Sequence, residues 1–211
     1  MSEETTPSTP PDRRARLREQ TRREAKDIAL EQLARTGPAG ISVNAIAKAM
    51  GMTGPALYRY FASRDELLTA LIADAYTGLA AALTRAAAQE TNGRTTPEGV
   101  PESVRGARLR GLAHGWRGWA KEHPERYLLI YGTPVPGYSA PEETRTIAAG
   151  MMRTTVSACE GLDPAEAAEH RALRAWTRLH GLVGLEVAGH FDGMDFDVDQ
   201  LFSDEVESLI R

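Results

Sequence analysis

The segment 41–72, ISVNAIAKAMGMTGPALYRYFASRDELLTALI, packs three helix starts and a tight turn into one short stretch, and few folds satisfy all four. Ser42 can cap a short helix whose apolar side is Ile46, Ala47 and Met50. Gly51 stops that helix where the chain must turn through positive φ, which a residue without Cβ tolerates. Thr53 can cap a second short helix, with Pro55 in its first turn, where a missing N–H costs nothing. Leu57 and Phe61 lie four apart and point to one small core. Ser63-Arg-Asp-Glu66 reads as a capping box that opens a long helix over 64–89, with Leu67, Leu68, Leu71, Ile72, Ala75 and Leu79 on its buried side.

The rest of the chain follows the same period. A helix over 14–35 carries Ala25, Ile28, Ala29 and Leu33 on one face and is stopped by Gly37, Pro38 and Gly40. Residues 1–12 are rich in Ser, Thr, Pro and Glu and read as a disordered arm, and 90–102 as a turn-rich connection. Further helices are expected at 103–122, 124–132, 141–160, 164–190 and 198–210. Their start signals are Ser103, Pro124, Ser139 with Glu142, Asp163-Pro164 with Glu166, and Asp197 with Gln200. No alternating strand pattern holds up, because the best candidate, Tyr127–Tyr131, has nothing to pair with. The expected class is all-α with about nine helices, divided into the arm 1–12, a three-helix unit 13–62 and a helical body 63–211.

Composition enters through charge. The 211 residues carry a formal charge of −4, which taken alone argues against a nucleic-acid partner. Residues 13–64, however, hold eleven basic side chains against four acidic ones, a net +7, so the remainder carries −11. A basic module on an acidic body can present a cationic face to phosphate. Arg13, Arg14, Arg16 and Arg18 suit either a minor-groove arm or a solvated basic helix start.

Other classes find little support. There is no Gly-rich phosphate loop, nucleophile elbow or metal-ligand spacing, so neither an enzyme, a metal nor a cofactor is expected. Glu186 and His190 read as a surface pair, and the single cysteine, Cys159, as a small buried hydrophobe in a reducing compartment. No apolar run is read as reaching the roughly 20 residues of a membrane span. The N-terminus lacks the apolar core of a secretory signal, so a cytoplasmic protein is expected.

Two short helices about a glycine turn, with a longer helix before them, describe a helix-turn-helix reader. Leu57 and Phe61 are its buried face, and Gly54, Pro55, Ala56 and Tyr58 the face offered to a major groove. Ile46-Ala47, Met50-Gly51, Ala56-Leu57-Tyr58, Tyr60-Phe61 and Glu66-Leu67-Leu68 closely resemble the pattern of the TetR family of bacterial transcriptional regulators. That resemblance implies a DNA surface made of Ser42, Asn44, Thr53, Gly54, Pro55, Ala56, Tyr58, Tyr60 and Arg64. Tyr58 and Tyr60 would contact phosphate, Thr53 would cap the recognition helix and touch the backbone, and Arg64 would clamp it. Gly54, Pro55 and Ala56 would meet base edges and sense thymine methyls, leaving Asn44 as the best hydrogen-bonding base reader. Arg59 would reach phosphate rather than a base.

In the body, Trp176 to Glu186 with His123 to Tyr127 is similar to a C-terminal subclass named for a Trp-His-Gly element. Such bodies enclose an inducer pocket, and Trp116, Trp119, Tyr127, Tyr131, Met151, Met152, Trp176 and His180 are the expected lining. Apolar stripes over 164–190 and 198–210 suggest a four-helix dimer seam of Leu179, Val183, Val187, Leu201, Phe202, Val206 and Leu209, or else the subunit's own core. The resulting expectation is a homodimeric, ligand-released repressor on a near-palindromic operator. The alternative is an architectural or cell-division DNA-binding factor without an inducer.

Overall fold

A computed structural model describes residues 13–89, 106–135, 137–163 and 165–211. Among the described residues the chain is all-α, with nine α-helices, one 3₁₀ turn and no strand. It divides into two compact units between Leu68 and Thr69. The arm 1–12, the 90–102 connection and the start signal Ser103 lie outside the described residues.

In the first unit, α1 (Arg13–Thr36) buries Ala25, Ala29 and Leu33 at four-residue steps, while Ile28 is half-buried beside them. Gly37 ends the helix at φ +68°, its N–H bonding to Leu33 O at 2.9 Å. A 3₁₀ turn over Pro38–Gly40 leads to α2 (Val43–Ala49), where Ser42 Oγ accepts from the Ala45 N–H at 3.3 Å as its cap requires. Gly51 turns the chain at φ +67°. The next helix, α3 (Gly54–Leu57), is a single turn that continues as bends to Tyr60. Thr53 precedes it, but its hydroxyl makes no capping bond; only its carbonyl serves, accepting from Ala56 and Leu57. Leu57 and Phe61 are fully buried with Ile46, Leu67 and Leu68, at about 1.5–3 kcal/mol of gross transfer free energy for each side chain. At the start of α4 (Arg64–Gln89), Ser63 Oγ accepts from Glu66 N–H at 3.0 Å, and Glu66 reaches back to Ala62 N–H at 2.6 Å.

The second unit begins within α4, where Leu71, Ile72, Ala75, Leu79 and Leu83 are buried. By length and composition α4 is long and apolar enough to cross a membrane, which corrects the sequence reading, yet its leucines follow the 3.6-residue period of a core stripe. The core is completed by α5 (Ala107–Glu122), α6 (Pro124–Tyr131), α7 (Glu142–Cys159), α8 (Ala168–Val187) and α9 (Val198–Ile210). Tyr127–Tyr131 belongs to α6. Cys159 is buried, which pushes its thiol up to about 11, out of reach of redox chemistry at neutral pH.

Two starts differ from the sequence reading. The cap of α7 is Pro141 rather than Ser139. Helix α8 begins at Ala168, because Asp163 Oδ1 takes the Ala165 N–H at 2.8 Å and Glu166 turns to Arg171 and Arg174 instead of closing a capping box. Asp197 does cap α9, accepting from Gln200 N–H at 2.9 Å.

Two arginines stitch the body together. Arg171, 2% exposed, donates to Leu209 O at 2.7 Å and pairs with Glu166 at 2.9 Å, which ties the entry of α8 to the exit of α9. Arg117 on α5 forms a two-pronged bond to Glu186 on α8 at 2.6 and 2.7 Å, meets Asp199 on α9 at 2.6 Å, and lies over the Phe202 ring. Glu186 also meets Lys121 at 3.1 Å, so the expected surface pair of Glu186 with His190 is corrected: this carboxylate is spent inside the body. The Arg117 hydrogen bond holds the Glu186 carboxyl below the usual carboxylate range. Its contribution to stability is therefore full above pH 4.5 and is lost as pH falls through the depressed folded value. Glu186→Ala should destabilise the body by about 2–3 kcal/mol, because Arg117 is left half-paired in the interior. The difference from wild type in thermal melts should shrink as the pH is lowered from 7 to 3.

Candidate nucleic-acid interface

The surface predicted to meet DNA is built by two short helices whose N-termini abut. Asn44 Oδ1, on the first turn of α2, sits 2.5 Å from where a Cβ on Gly54 would stand, so only glycine lets the two helix starts approach this closely without moving Asn44. Ser42, Asn44, Thr53, Pro55, Tyr58 and Arg59 are exposed, and Gly54, Ala56 and Tyr60 half-buried. The face is poor in side chains near the α3 N-terminus, as close backbone approach to base edges requires.

The other end of α3 is held by cations from α1. Arg18 donates to Arg59 O at 3.1 Å and lies over the Tyr60 ring. Arg22 donates to Tyr60 O, sits 4.1 Å above the Phe61 ring and faces Glu66 at 3.6 Å. Guanidinium groups beyond the carboxyl end of so short a helix satisfy carbonyls of the turn that follows it and suit its dipole. The sequence leaves Arg18 open between a minor-groove arm and a solvated helix start and gives Arg22 no individual role. The structure places Arg13, Arg14, Arg16 and Arg18 in the first turns of α1 rather than in an extended strand. No local motif announces these contacts, which join residues 38 and 41 positions apart.

Arg64 also differs from expectation. Its Nε and Nη2 donate to Ile41 O at 3.2 Å and Pro38 O at 2.6 Å, so the guanidinium fastens the 3₁₀ turn to the start of α4. The guanidinium expected to clamp DNA thus also has this task within the chain.

The body holds a cavity of about 210 Å³. Of the eight residues expected to line a pocket, the structure brings five together there: Trp116, Tyr131, Met151, Met152 and Trp176. Trp119 instead packs at Gly78 and against His123. Tyr127 is fully buried, with its hydroxyl 2.9 Å from His180 Nδ1, and His180 stacks flat on Trp176 at 5.4 Å. Burial lowers the His180 pKa, which favours a neutral ring able to accept the Tyr127 proton, and burial lifts the Tyr127 hydroxyl to about 12. Tyr76, Ala148 and Thr155 complete the lining and were not foreseen. Tyr76 stands one turn beyond Ile72 and Thr155 one turn beyond Met151, which is the signal that could have found them.

The expected dimer seam is largely corrected. Leu179, Val183, Phe202, Val206 and Leu209 are at most 1% exposed within a single chain, so they belong to its own core. Val187 is half-buried against that core. Leu201, 41% exposed, remains on the surface with Leu173 and Leu185. Leu182, Leu185, Phe191 and Leu201 line a shallow groove edged by Arg178 and Glu205. A 3.6-residue stripe reports an apolar face but not what covers it.

A glycine turn between two short helices, with the second helix offered to solvent from a basic unit, defines a helix-turn-helix DNA-binding regulator. Residues 27–71 match the family model for bacterial regulatory proteins of the tetR family, and 109–209 that for the tetracyclin repressor-like C-terminal domain. An HTH-type transcriptional regulator of Mycobacterium tuberculosis is 40% identical over 146 residues, 69% of this chain and 57% of the relative, so the match spans little more than half the length of that protein. An uncharacterised HTH-type regulator of the same organism is 32% identical over 86% of this chain and 76% of its own. The crystal structure of the regulatory protein SCO4313 is similar at a TM-score of 0.80 with 46% identity, covering 95% of this chain and 98% of that one. The chain belongs to the TetR family of transcriptional regulators.

The carbonyl contacts give Arg22 a positioning role, which its effect on salt dependence can separate from phosphate binding. Arg22→Ala should weaken DNA binding by about tenfold or more, the worth of a charge-assisted bond, and leave the slope of log K against log salt unchanged. A slope shallower by about 0.9, the value of one lost phosphate contact, would assign Arg22 to the DNA instead.

Proposed function

We propose that this chain works in the cytoplasm as a homodimeric repressor that holds a near-palindromic operator and lets go when a small molecule enters the body. The observation that carries the ligand half of this reading is the aromatic cavity of about 210 Å³ in the second unit. The cavity is partly open, its rim residues half-buried. An aromatic recess of that size suits a small ligand better than a packing defect, since voids larger than a water are few in a well-packed domain. The exposed groove of Leu182, Leu185, Phe191 and Leu201 supports a second copy as the partner of α8 and α9.

Two copies would place two α3 helices about one DNA turn apart. In each, Tyr58 and Tyr60 reach phosphate, Asn44 reads a base edge, and Gly54, Pro55 and Ala56 allow close approach and touch thymine methyls. Arg64, which also bonds to Ile41 O and Pro38 O of its own unit, would clamp the backbone from a fixed position. A ligand beside Tyr76 would shift α4, whose first turn carries Leu67 and Leu68 of the reader, and so alter the spacing of the two helices. A ligand favouring the released state about 100-fold supplies roughly 2.7 kcal/mol of coupling.

The test is a gel shift against the promoter of the chain's own gene. A discrete specific complex is expected, and Asn44→Ala with Tyr58→Phe should cost it about 1–3 kcal/mol, roughly fivefold to 150-fold. Unchanged specific affinity in that double variant would remove these residues from the interface.

A further inference from the structure

We infer that the body cavity selects an uncharged, flat aromatic molecule of about eight to ten non-hydrogen atoms and rejects carboxylates and organic cations. The inference rests on reading the body as the ligand-binding half of the regulator, and it names the chemistry of that ligand.

Size comes first. A 150 Å³ apolar cavity accepts benzene, so a cavity of about 210 Å³ suits a ring with a short substituent or two small fused rings. Drug-sized ligands need about 300–1,000 Å³, which places them beyond this space.

Shape follows from the walls. Tyr131 stands at the centre, stacked 6.1 Å from Trp116 with 24° between the planes, and it meets Tyr76 and Trp176 edge-on at 6.1 and 6.4 Å. Aromatic walls in mixed stacked and edge-on orientations favour another ring, since offset and T-shaped pairs add about 0.5–1.5 kcal/mol beyond burial. Met151 and Met152 supply flexible thioethers that fill the gaps around such a ring.

Charge decides the class. None of the eight described lining residues is a Lys, Arg, His, Asp or Glu. Burial raises the pKa of both Tyr76 and Tyr131, so their hydroxyls stay protonated and offer no phenolate to a cation. Rings alone return about 2 kcal/mol to a desolvated cation, against several kcal/mol to strip it of water. An anion fares no better, because the donors this lining offers, tyrosine hydroxyls and indole N–H groups, are uncharged and do not offset the desolvation of a carboxylate. The imidazole behind Trp176 is His180, whose pKa is lowered by burial, and it is bonded to Tyr127 rather than to the cavity. The one hydroxyl from α7, Thr155, donates to Met151 O of its own helix at 3.0 Å, which leaves it free only to accept.

Three probes with nearly the same outline and nine non-hydrogen atoms each separate the charge classes: acetophenone, benzoate and benzamidinium. Binding to the whole chain is read from tryptophan fluorescence, because Trp116 and Trp176 line the cavity. Acetophenone should bind at least 100-fold more tightly than either ion. Ala148→Leu, which fills the space, should weaken acetophenone at least tenfold and leave ligand-free DNA binding intact. Ala148→Val serves the same purpose should the larger residue unfold the body. Equal or tighter binding of benzoate or benzamidinium overturns the inference, as does binding of none of the three. The regulatory reading fails separately. Acetophenone bound in the cavity without any loss of operator affinity upholds the ligand class and overturns release by ligand. A cavity-bound anion that releases the operator does the reverse.

Discussion

The recognition helix is a single turn, four residues long, and a helix of that length has no stability of its own. Everything the first unit does follows from how that turn is held. From below, Leu57 and Phe61 are driven into the core with Ile46, Leu67 and Leu68. From its carboxyl end, Arg18 and Arg22 of α1 take the carbonyls of Arg59 and Tyr60. Its amino end is left to Gly54 and the adjoining Asn44, without any hydroxyl cap from Thr53. Support at one end and bareness at the other suit an element that must approach a base edge without shifting.

The same division of labour explains the charge. Several of the basic residues of 13–64 have structural tasks as well as an electrostatic one. Arg22 and Arg18 hold the turn that follows α3, and Arg64 holds the 3₁₀ turn. The body uses its arginines differently. Arg117 and Arg171 are buried and each engages acidic partners, so they fasten helices rather than face a ligand. An acidic total of −4 is thus compatible with a DNA-facing unit because the charges of the two units do separate work.

Local physics made much of the fold readable. The helix over 64–89 follows from the Ser63–Glu66 box, and the caps at Ser42 and Asp197 use hydrogen bonds within three residues. What was not readable depends on distant partners. Glu166 looks like a capping residue until Arg171 and Arg174 come to it across a turn. Glu186 looks like a surface partner of His190 until α5 brings Arg117. Leu179 and Phe202 carry the same periodic signal as a dimer seam and turn out to be core, whereas Leu201 of that stripe, and Leu185 outside it, are the exposed ones. The cavity's Trp116, Tyr131 and Trp176 were legible as amphipathic and soft residues of the body, a criterion of chemistry that does not say which way each ring points. Trp119 and Tyr127 share the composition but point elsewhere.

The central claim is that a compact basic unit meets DNA through phosphate contacts made by two copies. The most direct measurement is the affinity of the whole chain for its operator across a range of salt concentrations. Two reader units making several phosphate contacts each predict a slope of log K against log salt of about −5 or steeper. A slope near zero, with specific binding unchanged between low and high salt, would contradict the account.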